Sequence, residues 1–527
     1  MFAFADVELL PSTALKMAAR ILARCARRLP YGAAAVVSTS CALADEGPTF
    51  SVEKVDLKRV THLQTLGFRS KGGSNAKSFG YAKFISDDDC VLGDVLLKAH
   101  AGPREVTGYM RAGPRSELHF DPKETRAAIV TCGGLCPGLN SIVKNLVTIL
   151  EGHYGIQKIY GVSGGYRGFT SVGWDAPVEL SSDYCERIHH DGGTVLGTSR
   201  GGFDAEKIVE WLKAKHVSQL FVVGGDGTHR GAYKLAELCV ARGLNVSVAG
   251  IPKTIDNDIG IIDRSFGFMT AVSEATRAIA AARTEAECNM PNGIGVVKLM
   301  GRSAGFLAAY ATLASQDVDL CLVPEVPIVM EGPQGVLPHL ERVIDHKGHA
   351  VVVVAEGAGE ELLGASAEVD AGGNKKLPAI GEWLVAEIKK HFKASGKEAT
   401  LKYIDPSYMV RSVAADAGDS YLCMLLAHAA AHGSMAGYTG FTVGLVNNRT
   451  VRGRRVSRDS DGGNDEPSYV VGHDPHPRAR ADVAAVDERH GPHLGARPVH
   501  HEPAGHRARA QEDQGRVTRR RGALSSP

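Results

Sequence analysis

Residues 219–231 read QLFVVGGDGTHRG, and the fold is decided there. An apolar run stops abruptly at two glycines, an aspartate, a third glycine and a threonine. The run is short, bounded by glycine and rich in Val and Phe, which predicts a strand over 220–223. Behind it, 230–241 carries a helical period. A strand feeding directly into a helix is the repeating unit of a parallel sheet, and ligands of such sheets collect at the carboxyl ends of the strands. Gly224 and Gly225 leave the main chain bare enough for a phosphate chain to approach. Asp226 supplies a hard oxygen ligand suited to Mg²⁺ carrying that chain, and Thr228 a hydroxyl that can cap the helix or bind phosphate. A tight turn with an Asx residue would use the same letters. No Gly-Lys-Ser/Thr follows, so the stretch is not a Walker loop.

The same alternation extends outward over about 123–450. Strands are predicted over 127–132, 158–162, 246–251, 295–299, 320–323 and 350–355. Helices are predicted over 141–150, 204–214, 269–284, 303–315 and 381–392. This is an α/β pattern of parallel sheets covered on both faces, with length enough for two. Three more turns follow predicted strands. TCGGLCPGLN (131–140) places Gly133 and Gly134 before a helix N-terminus, which favours an anion. IPKTIDNDIG (251–260) crowds two aspartates and an asparagine beside Lys253, so that one carboxylate can be held by a cation while another accepts a proton. VVKLMGRSAGF (296–306) offers backbone groups at Met300 and Gly301 and the planar fork of Arg302. Each also has a plain reading as a turn, cap or surface ion pair. Together they ask for phosphate, Mg²⁺ and an activated hydroxyl, which is phosphoryl transfer.

Composition narrows the partners. The 60 Lys and Arg residues almost cancel the 59 Asp and Glu, so no global field recruits nucleic acid or a membrane. No apolar run reaches the roughly 18–20 residues of a spanning helix. The ten cysteines form no Cys-x-x-Cys pair and read as reduced thiols of an intracellular chain. Residues 17–44 are rich in Ala, Arg and Ser/Thr and contain no acid. The expectation is therefore a cytoplasmic protein, with a plastid or other organelle as the alternative if 1–60 is a transit segment rather than a disordered extension. From Val451 onward the chain has fourteen arginines and no lysine, isoleucine, phenylalanine, tryptophan, methionine or cysteine. Residues 451–527 are read as a disordered, atypical tail, as if the reading frame or splice junction changed near 449–451.

At this point the motifs resemble a known family. GGLCPGLN, GGYRGF (164–169), GGTVLGTSRGG (192–202), GGDGT, PKTIDND, MGR, AEGAG (355–359) and KYIDPSYMVR (402–411) are similar to ATP-dependent 6-phosphofructokinases, nearest the plant and protist branch. The resemblance covers about 111–450 with motifs in family order. It implies two Rossmann-like three-layer domains. An ATP half would hold 123–267 plus 410–450, a fructose 6-phosphate half 268–409, and 61–122 would be an N-terminal family extension. It further implies that Gly134, Arg200, Gly225, Asp226, Gly227 and Thr228 bind ATP, with Asp226 holding Mg²⁺. Asp256 would be the base for the sugar's 1-hydroxyl, flanked by Thr254, Ile255 and Asp258. Met300, Gly301, Arg302 and Glu356 would bind the sugar, Arg302 sharing in catalysis with Asp256 and Thr254. Lys402, Tyr408 and Arg411 would surround the 6-phosphate. A homotetramer is the family's usual assembly.

Donor choice turns on one position. Pyrophosphate-using relatives have a second aspartate directly after the metal-binding one, and here that place is Gly227. With no side chain it leaves room for ATP, where a carboxylate would repel phosphate. Lys253 is shared with the pyrophosphate users and points the other way. A pyrophosphate-dependent enzyme, or a non-catalytic product with an altered C-terminus, thus remains open. Three departures stand out. Gly293 occupies a place where bacterial relatives often have arginine. Lys402 keeps charge but lacks the guanidinium fork. The resemblance ends at Thr450, so the family's closing segment is expected to be missing.

Overall fold

The computed structural model describes residues 52–75, 84–93, 104–170, 176–364 and 377–454. Of the extension expected over 1–60, residues 1–51 lie outside the described residues, as does the tail from 455. The last part of that extension is ordered rather than disordered, because Val52–Lys58 pairs as a parallel strand with residues 104–109. The chain opens with β1 (Val52–Lys58), β2 (Gly73–Ser74), β3 (Cys90–Leu92), β4 (Arg104–Arg111), β5 (Glu117–Leu118) and β6 (Arg126–Thr131). Next come α1 (Leu139–Val147), β7 (Lys158–Val162), β8 (Val178–Glu179), α2 (Ala205–Ala214), β9 (Gln219–Gly224), α3 (Asp226–Ala241) and β10 (Ser247–Pro252). All six residues of β9 and of β10 are buried, as expected of strands covered on both faces.

A second run begins with α4 (Phe268–Cys288), β11 (Gly293–Leu299), α5 (Phe306–Ser315), β12 (Leu320–Leu322), α6 (Val336–Lys347) and β13 (His349–Ala355). It continues through α7 (Glu360–Leu363), α8 (Ile380–Ala394), β14 (Thr400–Ile404) and α9 (Ser407–Arg411). The chain then adds α10 (Ala417–Met435), β15 (Phe441–Val446) and β16 (Arg449–Arg454). The tail expected to start at Val451 therefore begins as strand. None of the described helices is long and apolar enough to cross a membrane.

Two sheets dominate the described residues. The larger has the order β1-β4-β16-β15-β10-β9-β6-β7-β8, with β3 also on β4. Its central pairs β15–β10, β10–β9, β9–β6 and β6–β7 are parallel. The smaller, β12-β13-β11-β14, is parallel throughout. Between the sheets lies a shared apolar layer. Ile129, Phe221 and Ile251 of the large sheet meet Leu139, Ile279 and Leu426 of α1, α4 and α10, and Val297 and Val353 of the small one. The far face of the large sheet is closed by Ile208, Leu212 and Leu235 of α2 and α3. Leu340 and Leu384 of α6 and α8 close the far face of the small sheet. The result is two α/β units joined through one core.

Candidate active site

The opening stretch forms the turn between β9 and α3. An added Cβ on Gly224 would sit 2.5 Å from the Thr228 side chain, so glycine is required for the helix to start this soon after the strand. Tyr166 Oη donates to the Thr228 carbonyl at 2.7 Å and fixes the first turn. Asp226 is the first helical residue and is exposed, at the end of the helix where a negative charge is favourable. A Cβ on Gly227 would meet nothing within 4 Å.

Beside it lies the turn after β6. Gly133 has φ +86°, and a Cβ there would approach Lys253 Nζ to 3.8 Å. The loop 192–202 is clipped onto this turn. Gly133 N–H donates to the Ser199 carbonyl at 3.1 Å, and Thr198 Oγ1 to the Gly133 carbonyl at 2.8 Å. Arg200 and Arg411 reach Gly134 from different parts of the chain, with guanidinium nitrogens 3.9 and 3.8 Å from where its Cβ would be. Arg411 Nε is buried without a hydrogen-bond partner, and its guanidinium stacks 5.0 Å from the Tyr408 ring centre.

The loop after β10 holds the carboxylates. Lys253 N–H donates to the Gly224 carbonyl at 2.9 Å, which ties this loop to the previous strand end. The Lys253 ammonium is buried, and burial pushes its pKa down even though Asp256 opposes the shift. Thr254 Oγ1 donates to Asp258 at 2.6 Å and accepts from Asp256 N–H at 3.2 Å. Ile255 is buried beneath them. Ser265, fully buried, bonds the Thr254 carbonyl through Oγ and donates its N–H to Asn257 Oδ1 at 2.7 Å. Nothing in the sequence marks Ser265, because a lone serine before an aromatic carries no spacing signal.

Asp256 is where the two sheets' loops converge. It accepts the backbone N–H of Arg302, while its Oδ1 is buried with no hydrogen-bond partner. Burial pushes its pKa up to about 7, helped by the Asp258 and Glu356 carboxylates nearby. Arg302 and Glu356 leave the neighbouring parallel strands β11 and β13. Glu356 N–H donates to the Leu299 carbonyl at 2.9 Å and Gly357 N–H to the Gly301 carbonyl at 3.0 Å. A Cβ on Gly357 would fall 1.7 Å from the Arg302 carbonyl, so the two loops touch main chain to main chain. Gly301 has φ +135°, and a Cβ there would fall 2.5 Å from the Ala304 carbonyl oxygen, so glycine is needed for the turn between Met300 and Arg302.

Lys402 stands apart from this group. It lies in mid-strand β14 opposite Gly295, four residues before Leu299 at the strand end, and pairs with Glu285 at 3.5 Å. Tyr408 is 73% exposed, beside Arg411 but turned outward. The remaining predicted residues gather at the carboxyl ends of β6, β9, β10, β11 and β13. This arrangement sets Arg200, Arg411 and Lys253 beside the Gly133–Gly134 turn, with the buried Asp256 carboxyl on the adjoining loop.

Known proteins give this geometry its context. A family model described as Phosphofructokinase matches residues 126–433. An Arabidopsis thaliana protein named ATP-dependent 6-phosphofructokinase 7 is 52% identical over 69% of this chain and 75% of its own length. An Amycolatopsis methanolica ATP-dependent 6-phosphofructokinase is 46% identical over 70% of this chain and 82% of its own. Among solved structures, a pyrophosphate-dependent phosphofructokinase from Marinobacter aquaeolei superposes with a TM-score of 0.53 at 22% identity, over 63% of this chain and 82% of that one. That structural likeness concerns the fold alone. The matched span includes every loop that meets at Asp256, and the chain belongs to the phosphofructokinase family.

Proposed function

We propose that the chain is an ATP-dependent 6-phosphofructokinase, transferring the γ-phosphoryl group of ATP to the 1-hydroxyl of fructose 6-phosphate. The observation that carries the mechanism is Asp256: a buried carboxyl with one unpartnered oxygen and a pKa of about 7, between the two sets of loops. A base poised near the working pH accepts a proton efficiently. In this reading the 1-hydroxyl gives its proton to Asp256 as its oxygen bonds to the γ-phosphorus. The bond from that phosphorus to the β–γ bridging oxygen breaks, and ADP leaves. Arg200 and the main chain at Gly134 and Gly225 bind the donor phosphates. Arg302, Met300, Gly301 and Glu356 orient the sugar, and Arg411 with Tyr408 takes the 6-phosphate. Thr254 and Asp258 hold the Asp256 loop.

Mg²⁺ fits Asp226: one exposed carboxylate with open space beside Gly227 suits a cation that takes its other ligands from phosphate and water. When bound it would neutralise charge on the donor's phosphates. The open space at Gly227 also favours ATP as donor. Lys253, buried against Gly133, is the observation favouring pyrophosphate. A homotetramer is proposed as the assembly, in which Lys402, mid-strand and paired with Glu285 in its own chain, would serve a neighbouring subunit's 6-phosphate site. A cytoplasmic site is proposed, with a plastid as the alternative because the relatives include an Arabidopsis enzyme named chloroplastic.

A coupled assay of the purified chain with fructose 6-phosphate, Mg²⁺ and either donor tests this. Turnover with ATP and little with pyrophosphate is expected. Preference for pyrophosphate, or no turnover with either, overturns it.

A further inference from the structure

Gly192 lies in the donor-side loop and touches the acceptor side. A Cβ there would sit 1.8 Å from the Ser412 carbonyl oxygen and 2.9 Å from the Val413 carbonyl carbon. Side chains cannot rotate out of this contact, because both partners are main chain. Ser412 directly follows Arg411, and Gly192 belongs to the loop that ends in Arg200. The two arginines meet at Gly134, within 3.8 and 3.9 Å of its Cβ position. The Gly192–Ser412 contact is thus a spacer that sets how far apart the two guanidinium groups stand.

One side of the spacer is the stiffer. Asn140 donates to the Asp191 carbonyl at 3.0 Å and accepts from Val195 N–H at 2.8 Å. Thr131 Oγ1 donates to the Gly197 carbonyl at 2.9 Å, and Ser199 Oγ to the Gly164 carbonyl at 2.6 Å. The loop is therefore clamped on β6, α1 and the turn after β7. Ser412 is exposed and lies between the short helix α9 and the cap of α10. Added volume at 192 displaces Ser412, and Arg411 moves with it.

We infer that Gly192 is a positioning residue that couples the donor loop to the sugar-phosphate side by fixing Arg411 against Arg200; the inference rests on the phosphofructokinase reading of the site. Its neighbour supplies the control. Gly193 has φ +75° and nothing within 4 Å of an added Cβ, so alanine there strains the backbone without pushing the acceptor side.

The experiment compares steady-state kinetics and melting temperature of the parent, Gly192→Ala and Gly193→Ala. Gly192→Ala is expected to raise KM for fructose 6-phosphate roughly tenfold or more and to leave KM for ATP within about threefold. Gly193→Ala is expected to lower the melting temperature with both KM values near the parent's. Equal KM values for the sugar in Gly192→Ala and the parent would overturn the spacer, as would matching KM changes in the two variants. If Gly192→Ala does not fold, Asn140→Ser decides. It unclamps the loop without adding volume, and an unchanged sugar KM there overturns the inference, while a rise supports it. A parent protein without activity would instead sink the functional reading.

Discussion

Asp256 carries the sharpest residue-scale expectations. Replacing it with Ser or Ala should lower kcat by about 10²–10⁴ with modest change in KM, as expected when a proton acceptor is lost. The sign of its pH effect on stability is also fixed. Its folded pKa, up from 3.8 to about 7, means the folded state holds the proton more tightly than the unfolded chain. Stability is full below about pH 4 and is lost as pH rises through 7, by up to ~4 kcal/mol at 1.36 kcal/mol per pKa unit. Asp256→Asn should therefore melt higher than the parent at pH 8, and the gap should close toward pH 4; a thermal scan across pH checks it. Gly227→Asp should depress ATP use far more than pyrophosphate use, because a carboxylate would occupy space now open. Asp226, Asp256 and Arg302 were legible in the sequence because each follows a predicted strand. The placement of Lys402 was not. β14 was not predicted, and without its register a residue cannot be assigned to the end or the middle of a strand.

Among elements, short apolar runs with abrupt ends read well: the seven predicted strands all recur as β6, β7 and β9–β13, within two residues at either end. α10 was invisible because it is apolar all round, buried among α1, α4 and the large sheet, so no stripe marks it. β16 was hidden by its composition. It brings Arg452 into the core at 0% exposure, with Nε and Nη1 buried and lacking hydrogen-bond partners. Its guanidinium lies 4.2 Å from the Tyr438 ring centre, and burial with repulsion from Arg115 pushes its pKa down to about 9. A buried charge so weakly compensated is a cost. Arg452→Met should raise stability by roughly 1–3 kcal/mol in urea unfolding, without altering either KM.

At the scale of the molecule, the halves are held together at Asp419. This fully buried carboxylate accepts from Thr270 N–H at 2.8 Å and Thr270 Oγ1 at 2.7 Å, joining the N-termini of α4 and α10. Asp416 N–H returns a bond to Thr270 Oγ1 at 3.0 Å. Asp419→Ala leaves buried donors unanswered and should cost about 2–4 kcal/mol, whereas Asp419→Asn keeps an acceptor and should cost under about 1.5. Equilibrium unfolding of both variants distinguishes these outcomes. Because the layer between the sheets is continuous, each variant should unfold in one transition rather than half by half.

The parallel pairing of β10 with β15 has a temporal consequence. A ribosome finishes β10 and then makes the whole of the small sheet before the strand's partner emerges. Throughout that interval the nascent large sheet presents a bare, apolar edge, the kind of surface that invites aggregation. The small sheet can complete its own pairing meanwhile, since its strands β11–β14 are contiguous in sequence. Synthesis thus favours an order in which the later-made unit closes first, and slowed elongation between the two should expose the nascent chain to chaperone capture.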